Sequence, residues 1–218
     1  MNRLLLLCGI LSSLLYVAMN VFVAMQWVEY SSMSQTVSEL SAVGAPTRPL
    51  WVGLAFAYTL LVTAFGWGVL ASARHHRPLR IAGGLLVAYG LTGLVWPFAP
   101  MHQRAVLVMG GGTLSDTMHI VLSIVTVLLM LLAIGFAAAA VGRRFRLYSI
   151  ATMLLLVGLG TLVFMDAPRI SADLPTPRIG LWERLDIGLF LLWVVVLAIG
   201  LLRAPVDRPG DGPGGRRQ

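Results

Sequence analysis

Long apolar runs separated by short polar clusters set the pattern of this chain. Six runs, at about 4–26, 50–73, 80–99, 116–141, 148–166 and 182–202, each reach the ~20 mostly apolar residues that a membrane-crossing helix needs. They are too long and too evenly apolar for strands, and they lack the alternation of an outer-membrane barrel. In the bilayer core each run must satisfy its own backbone hydrogen bonds, which leaves the helix. The pattern therefore predicts an all-α polytopic bundle of six transmembrane helices over residues 1–203. The remaining stretch, 204–218, is rich in Gly, Pro and charge and is expected to be a disordered cytoplasmic tail. The first run has the basic start and apolar core of a signal peptide, but it continues through Val21, Phe22, Val23 and Ala24. That is long enough to span, so retention is expected; cleavage would leave five helices.

Composition agrees. Hydrophobic residues make up 58% of the chain and charged residues 11%, well under the ~25% charged residues of an ordinary soluble domain. All sixteen basic residues are arginine and the net charge is +7. The arginines sit in short loops, not in one basic patch, which argues against nucleic acid and for a topology signal. Eleven fall on one set of connections, Arg3, Arg74, Arg77, Arg80, Arg143, Arg144, Arg146, Arg203, Arg208, Arg216 and Arg217, and five on the other: Arg48, Arg104, Arg169, Arg178 and Arg184. The richer set is expected in the cytoplasm, so both termini face inward. The acids Glu29, Glu39, Asp116, Asp166, Asp173, Glu183 and Asp186 then lie outside, on the longer connections near 27–49, 100–115 and 167–181. Loops of that length in a compact protein tend to be functional. Cys8 is alone and reads as a small apolar residue. Gly83, Gly90 and Gly93 share nearly one face of the third run and are expected to admit close helix packing, as are Gly158 and Gly160 in the fifth.

Few residues are left to carry chemistry, and most fall at the outer end. "TLSD" places Thr113 and Asp116 in a capping box, and Asp116 also complements the helix dipole. His119, one turn deeper, is either a neutral imidazole bonded to a neighbour or a functional group. With His102 it would supply two imidazoles beside the Asp116 carboxylate, a three-ligand set that suits zinc. The spacing matches no compact zinc motif. Glu183, Arg184 and Asp186 open the last run; two acids suit a helix start, while Arg184 is either paired to them or free to bind a carboxylate or phosphate with its planar fork. Asn20 interrupts the first run and is expected to hydrogen-bond between helices. "TVSE" repeats the capping-box pattern at Thr36 and Glu39 and predicts a short helix over the bundle mouth. Trp27, Trp51, Trp96 and Trp182 are placed for an aromatic belt.

Other signals carry little. The "GGG" at 110–112 lacks the lysine of a phosphate loop. His75 and His76 stand among arginines, where positive charge opposes a metal, and read as a solvated loop. No serine lies in a nucleophile elbow. A haem would have only His102 and His119, both near one surface, which argues against it.

The segments "YSSMSQTVSEL", "PFAPMHQR", "TLSDTMHIVL" and "GLWERLDIGLFLLWVVVLAIGLLR" resemble the domain-of-unknown-function 998 family of bacterial integral membrane proteins. The resemblance runs to about Arg203. It implies a multi-helix inner-membrane protein and no assigned activity, with Ser34, Glu39, His102, Asp116, His119, Glu183 and Arg184 at the matching motif positions. The expected function is binding of a lipid headgroup or small anionic ligand in an outward-facing polar pocket, with Asn20, His119, Glu183 and Arg184 as its binding groups. The alternative is an intramembrane metal-dependent hydrolase, with His102, Asp116 and His119 on zinc and Glu183 activating water. A transporter would need polar groups on several helices near mid-membrane, and the fourth and sixth runs are nearly clean there. A structural subunit is the plainest option. Membrane lipids are the expected partners, and the sequence names neither a protein partner nor an oligomeric state.

Overall fold

The computed structural model describes residues 2–74 and 76–203 (for Asn2, its backbone only). The expectations for His75 and for the 204–218 tail fall outside the described residues. Eight α-helices follow in order: α1 Asn2–Ala24, α2 Arg48–Ser72, α3 Arg77–Thr92, α4 Arg104–Val108, α5 Leu114–Ala140, α6 Arg143–Asp166, α7 Pro168–Ser171 and α8 Ile179–Arg203. Short 3-10 helices cover Val37–Ser41 and Trp96–Phe98. Six spans are long and apolar enough to cross a membrane, and each coincides with a run expected from the sequence. The described residues contain no strand, only an isolated parallel bridge between Val43 and His102.

The long helices stand in a ring in chain order. α1 packs on α2, α2 on α3, α3 on α5, α5 on α6, α6 on α8, and α8 closes back on α1. Lipid tails are as apolar as leucine, so hydrophobicity alone does not join such helices; close packing and interhelical hydrogen bonds do. The α1–α2–α3 side shows the packing device. A Cβ on Gly66 would strike the Val87 backbone, one on Gly68 the Leu5 backbone, and one on Gly83 the Leu70 backbone. Gly90 and Gly93 lie against Thr63 and Thr59, so the glycine face expected on the third run is a true contact face. Gly158 and Gly160 correct the expectation for the fifth: a Cβ on either would meet nothing. Their helix, α6, buries only Ser149, Thr152 and Leu156; Gly158 lies on the opposite face, and Gly160, one turn beyond Leu156, has no neighbour within contact distance.

Side chains fill the middle of the ring. Phe65, Leu86, Ile134, Phe190, Trp193 and Leu197 are fully enclosed. Polar pins cross this core. The Tyr58 and Tyr89 hydroxyls meet at 2.8 Å, Trp193 Nε1 donates to Ser149 Oγ at 3.0 Å, and Ser13 Oγ donates to the Leu191 carbonyl at 3.1 Å across the closing α1–α8 seam. Outward-facing Leu4, Leu14, Phe56, Leu128, Leu154 and Phe164 remain exposed, as the lipid-facing surface of a bundle should.

Alternation of the spans gives the molecule two unlike ends. Arg3, Arg74, Arg77, Arg80, Arg143, Arg144, Arg146 and Arg203 gather at one, here the arginine end. Every described carboxylate side chain belongs to the other, the acidic end, where the three long connections form a cap.

Candidate functional site

The cap is built on the start of α8. The helix opens at Ile179, and its second residue, Gly180, is buried against the 31–36 segment. A Cβ there would collide with the Gln35 and Ser32 carbonyl oxygens, so only glycine lets that backbone pass so close. One turn on, Arg184 reaches into the same segment. Its Nε donates to Asn20 Oδ1 at 3.0 Å, its Nη1 to the carbonyls of Ser32 at 2.8 Å and of Gln35 and Gly180 at 3.1 Å, and its Nη2 to the Tyr30 hydroxyl at 2.6 Å. Tyr30 in turn donates to the Thr36 carbonyl at 2.6 Å. Burial pushes the Tyr30 phenol up to about 12, against the opposing pull of the Arg184 charge. Beside Arg184, Glu183 accepts from the Val37 N–H with a carboxylate oxygen. The Asp186 Oδ1 atom is buried without a hydrogen-bond partner among the described residues. Arg184 is thus a staple joining α1, α8 and the first connection, and neither acid flanking it is its partner.

A second arginine holds the cap together from the other side. Arg104, at the start of α4, grips Glu39 with both edges of its fork: Nε to Oε2 at 2.7 Å and Nη2 to Oε1 at 2.8 Å. It also donates to Thr176 Oγ1 and to the Ser34 carbonyl, each at 2.7 Å. Three connections meet on that guanidinium. Glu39 is only 2% exposed, and its charge is held by further donors, the Thr36 N–H at 2.8 Å and Gln35 Nε2 at 3.1 Å. The Thr36 bond is the backbone arm of the capping box expected from "TVSE", and the short helix it starts is the 3-10 turn Val37–Ser41. Trp27, Gln35, Glu39, Gln103, Arg104 and Ala105 line a small cleft of about 100 Å³ over this pair.

The histidines form a third group. The Asp116 carboxylate takes the Thr113 N–H at 2.8 Å, which completes the capping box at the start of α5. It also takes the His102 N–H at 2.7 Å and His102 Nδ1 at 2.8 Å. His119 is buried, meets the Trp96 ring edge-on with centroids 4.9 Å apart, and sets Nδ1 at 2.9 Å from the Ala99 carbonyl. A carbonyl only accepts, so Nδ1 carries the proton of that bond. Both imidazoles therefore anchor the 96–103 turn onto α5.

The residues picked from sequence share one end, but as separate groups. Asn20 meets Arg184, and His102 meets Asp116; His119 and Glu183 each turn to a main-chain partner elsewhere. Among the described residues no three His, Cys, Asp or Glu side chains are placed to hold a metal, so His102, Asp116, His119 and Glu183 do not converge as a zinc hydrolase requires. Trp51 is only 8% exposed and packs in a core with Met19, Val23, Val37 and Leu40 rather than in a belt. Sequence reasoning passed over Arg104, Tyr30, Gln35 and Thr176. One signal was available for Arg104: an arginine on the end that otherwise gathers the acids is there to pair with one of them.

Fold and cap together define a multi-pass α-helical membrane protein with an ordered polar cap over one end of its bundle. The chain belongs to the family described as Protein of unknown function (DUF998), whose model matches residues 10–200. No curated protein and no solved structure matches it. All the motif positions of the resemblance, Ser34, Glu39, His102, Asp116, His119, Glu183 and Arg184, take part in the cap's hydrogen bonds.

Proposed function

We propose that the protein binds an anionic group, a lipid headgroup or a small phosphate or carboxylate, in the cleft at the acidic end. That end is taken as the outer face of a bacterial cytoplasmic membrane, on the strength of the arginine bias of the opposite end. The observation that carries the reading is a convergence of unused donors. Arg104 retains an Nη1 hydrogen after its bonds to Glu39, Thr176 and Ser34. Gln35 retains an amide hydrogen, and among the described residues the Gln103 amide and the Trp27 indole N–H make no hydrogen bond. Donors without acceptors at one cleft favour oxygen-rich ligands. The volume, about 100 Å³, suits one phosphate or carboxylate, since a water molecule occupies ~30 Å³ in the liquid. Arg184, the anion binder expected from the sequence, has given all but one Nη2 hydrogen to the cap and does not line this cleft, so the proposal rests on Arg104 and Gln103.

The test is thermal stability of the purified protein in phosphatidylcholine nanodiscs, with phosphatidylglycerol doped in or glycerol phosphate added. Stabilisation by either, weakened about tenfold in Gln103→Ala, is expected, because a hydrogen bond to a charged group is worth ~1.5–3 kcal/mol. A response to the lipid alone identifies a headgroup; a response to both identifies the phosphate itself. No stabilisation by either, or an equal response in Gln103→Ala, overturns the reading.

A further inference from the structure

We infer that the arginine end carries a separate site for an acidic phospholipid, seated on Arg77 and Arg80. Leu70, Arg77, Arg80 and Ile81 line an open groove of about 450 Å³ between the end of α2 and the start of α3. Both arginines are exposed, and neither guanidinium has a hydrogen-bond or ion-pair partner among the described residues. In this they differ from Arg104 and Arg184, whose guanidinium groups are bonded into the cap, and from Arg146, whose Nε donates to the Ala138 carbonyl at 3.2 Å.

Their position is electrostatically costly unless an anion covers it. Both stand in the first turn of α3, a 16-residue helix with no acid in that turn. A helix start already carries a partial positive charge, so cations there are unfavourable and anions favourable. No described carboxylate lies at this end to compensate. An anionic ligand would supply that counter-charge.

The groove is ordered like the ligand. Arg77 and Arg80 are three residues apart and share a face, and Ile81 lies four beyond Arg77 on that same face. Leu70 supplies the opposite wall from α2. One turn deeper, Gly84 is open, with nothing within contact distance of a Cβ. The sequence from water inward is therefore two charged forks, then aliphatic walls, then an open strip. A phosphodiester with a net negative charge fits the forks, and an acyl chain fits the strip below. A free phosphate would leave the apolar half unused, which commits the site to a phospholipid.

Native mass spectrometry of the full-length protein, extracted gently and exposed to equal phosphatidylglycerol and phosphatidylcholine, decides the matter. The wild type is expected to retain phosphatidylglycerol preferentially. R77Q/R80Q should lose about tenfold or more of that preference, given ~1 kcal/mol per arginine near an anionic surface. R143Q/R144Q removes equal charge at the same end outside the groove and should keep the preference, as should Gln103→Ala at the far cleft. Equal loss in R77Q/R80Q and R143Q/R144Q would reduce the effect to general surface charge and overturn the site. So would unchanged retention in R77Q/R80Q, or stabilisation by inorganic phosphate equal to that by the lipid. Should R77Q/R80Q fail to fold, the single variants Arg77→Gln and Arg80→Gln carry the same comparison.

Discussion

At the scale of the residue, two guanidinium groups decide how the cap is held. Arg184 bonds a side-chain amide, a phenol and three main-chain carbonyls at once. A lysine ammonium keeps the charge but is a compact donor without the fork, so it cannot reach those acceptors together. Arg184→Lys is expected to lower unfolding stability by ~2–3 kcal/mol, against less than ~0.5 kcal/mol for exposed Arg143→Lys; denaturant titration in micelles measures both. Tyr30 adds a pH dependence. Its folded pKa is raised to about 12, so the stability linked to its protonated form is complete below the ordinary phenol value of ~10 and is lost as pH rises toward the folded value. Tyr30→Phe should flatten that limb of the stability-versus-pH curve and leave the neutral region's slope unchanged. Little of this was legible in the sequence. Asn20 announced an interhelical bond because an amide inside an apolar run must find a partner. The carbonyls of Ser32 and Gln35 announced nothing, since a main-chain acceptor has no residue signature and these lie 152 and 149 residues from Arg184.

At the scale of the element, glycine separates helix faces that touch from faces that meet lipid. Gly83 has the Leu70 backbone against it, while Gly158 has open space. Gly83→Ala should separate α2 and α3 and destabilise the protein by ~1–3 kcal/mol, as overpacking does. Gly158→Ala should be neutral or stabilising by up to ~1 kcal/mol through helix propensity. Unfolding measured side by side under one set of conditions distinguishes them. Gly180→Ala should displace the 31–36 segment and speed its amide exchange while the spans stay protected. The six spans were legible because length and apolarity alone specify them in a bilayer. The face that each glycine presents was not, because a small residue shows that close approach is permitted and not that a neighbour is present. The capping boxes at Thr36 and Thr113 were legible for the opposite reason: their partners lie three residues away.

At the scale of the whole molecule, charge divides the ends. If the arginine end is cytoplasmic, as proposed, then in intact cells a membrane-impermeant thiol reagent should label Val28→Cys, at a fully exposed acidic-end position. Arg144→Cys should be labelled only after lysis, with Cys8 replaced by serine throughout. The reverse result would invert the orientation and place the cleft in the cytoplasm. Sequence already gathered His102, Asp116, His119 and Glu183 at one end, because topology follows from the order of spans and loops. It did not resolve their dispersal into separate hydrogen-bond groups, which depends on how the loops fold back over the bundle.

The closing contact of the ring has a consequence for biogenesis. Neighbours in the ring are neighbours in the chain everywhere except where α8 returns to α1. A ribosome feeding the bilayer can therefore dock five helices as they emerge, but the final joint waits for the last one. Until then the first helix keeps one flank bare, and Asn20 and Ser13 lack the α8 partners they have in the finished protein. A nascent chain stalled before α8 should be unusually sensitive to membrane quality-control proteases, and α8 supplied as a separate polypeptide should rescue it.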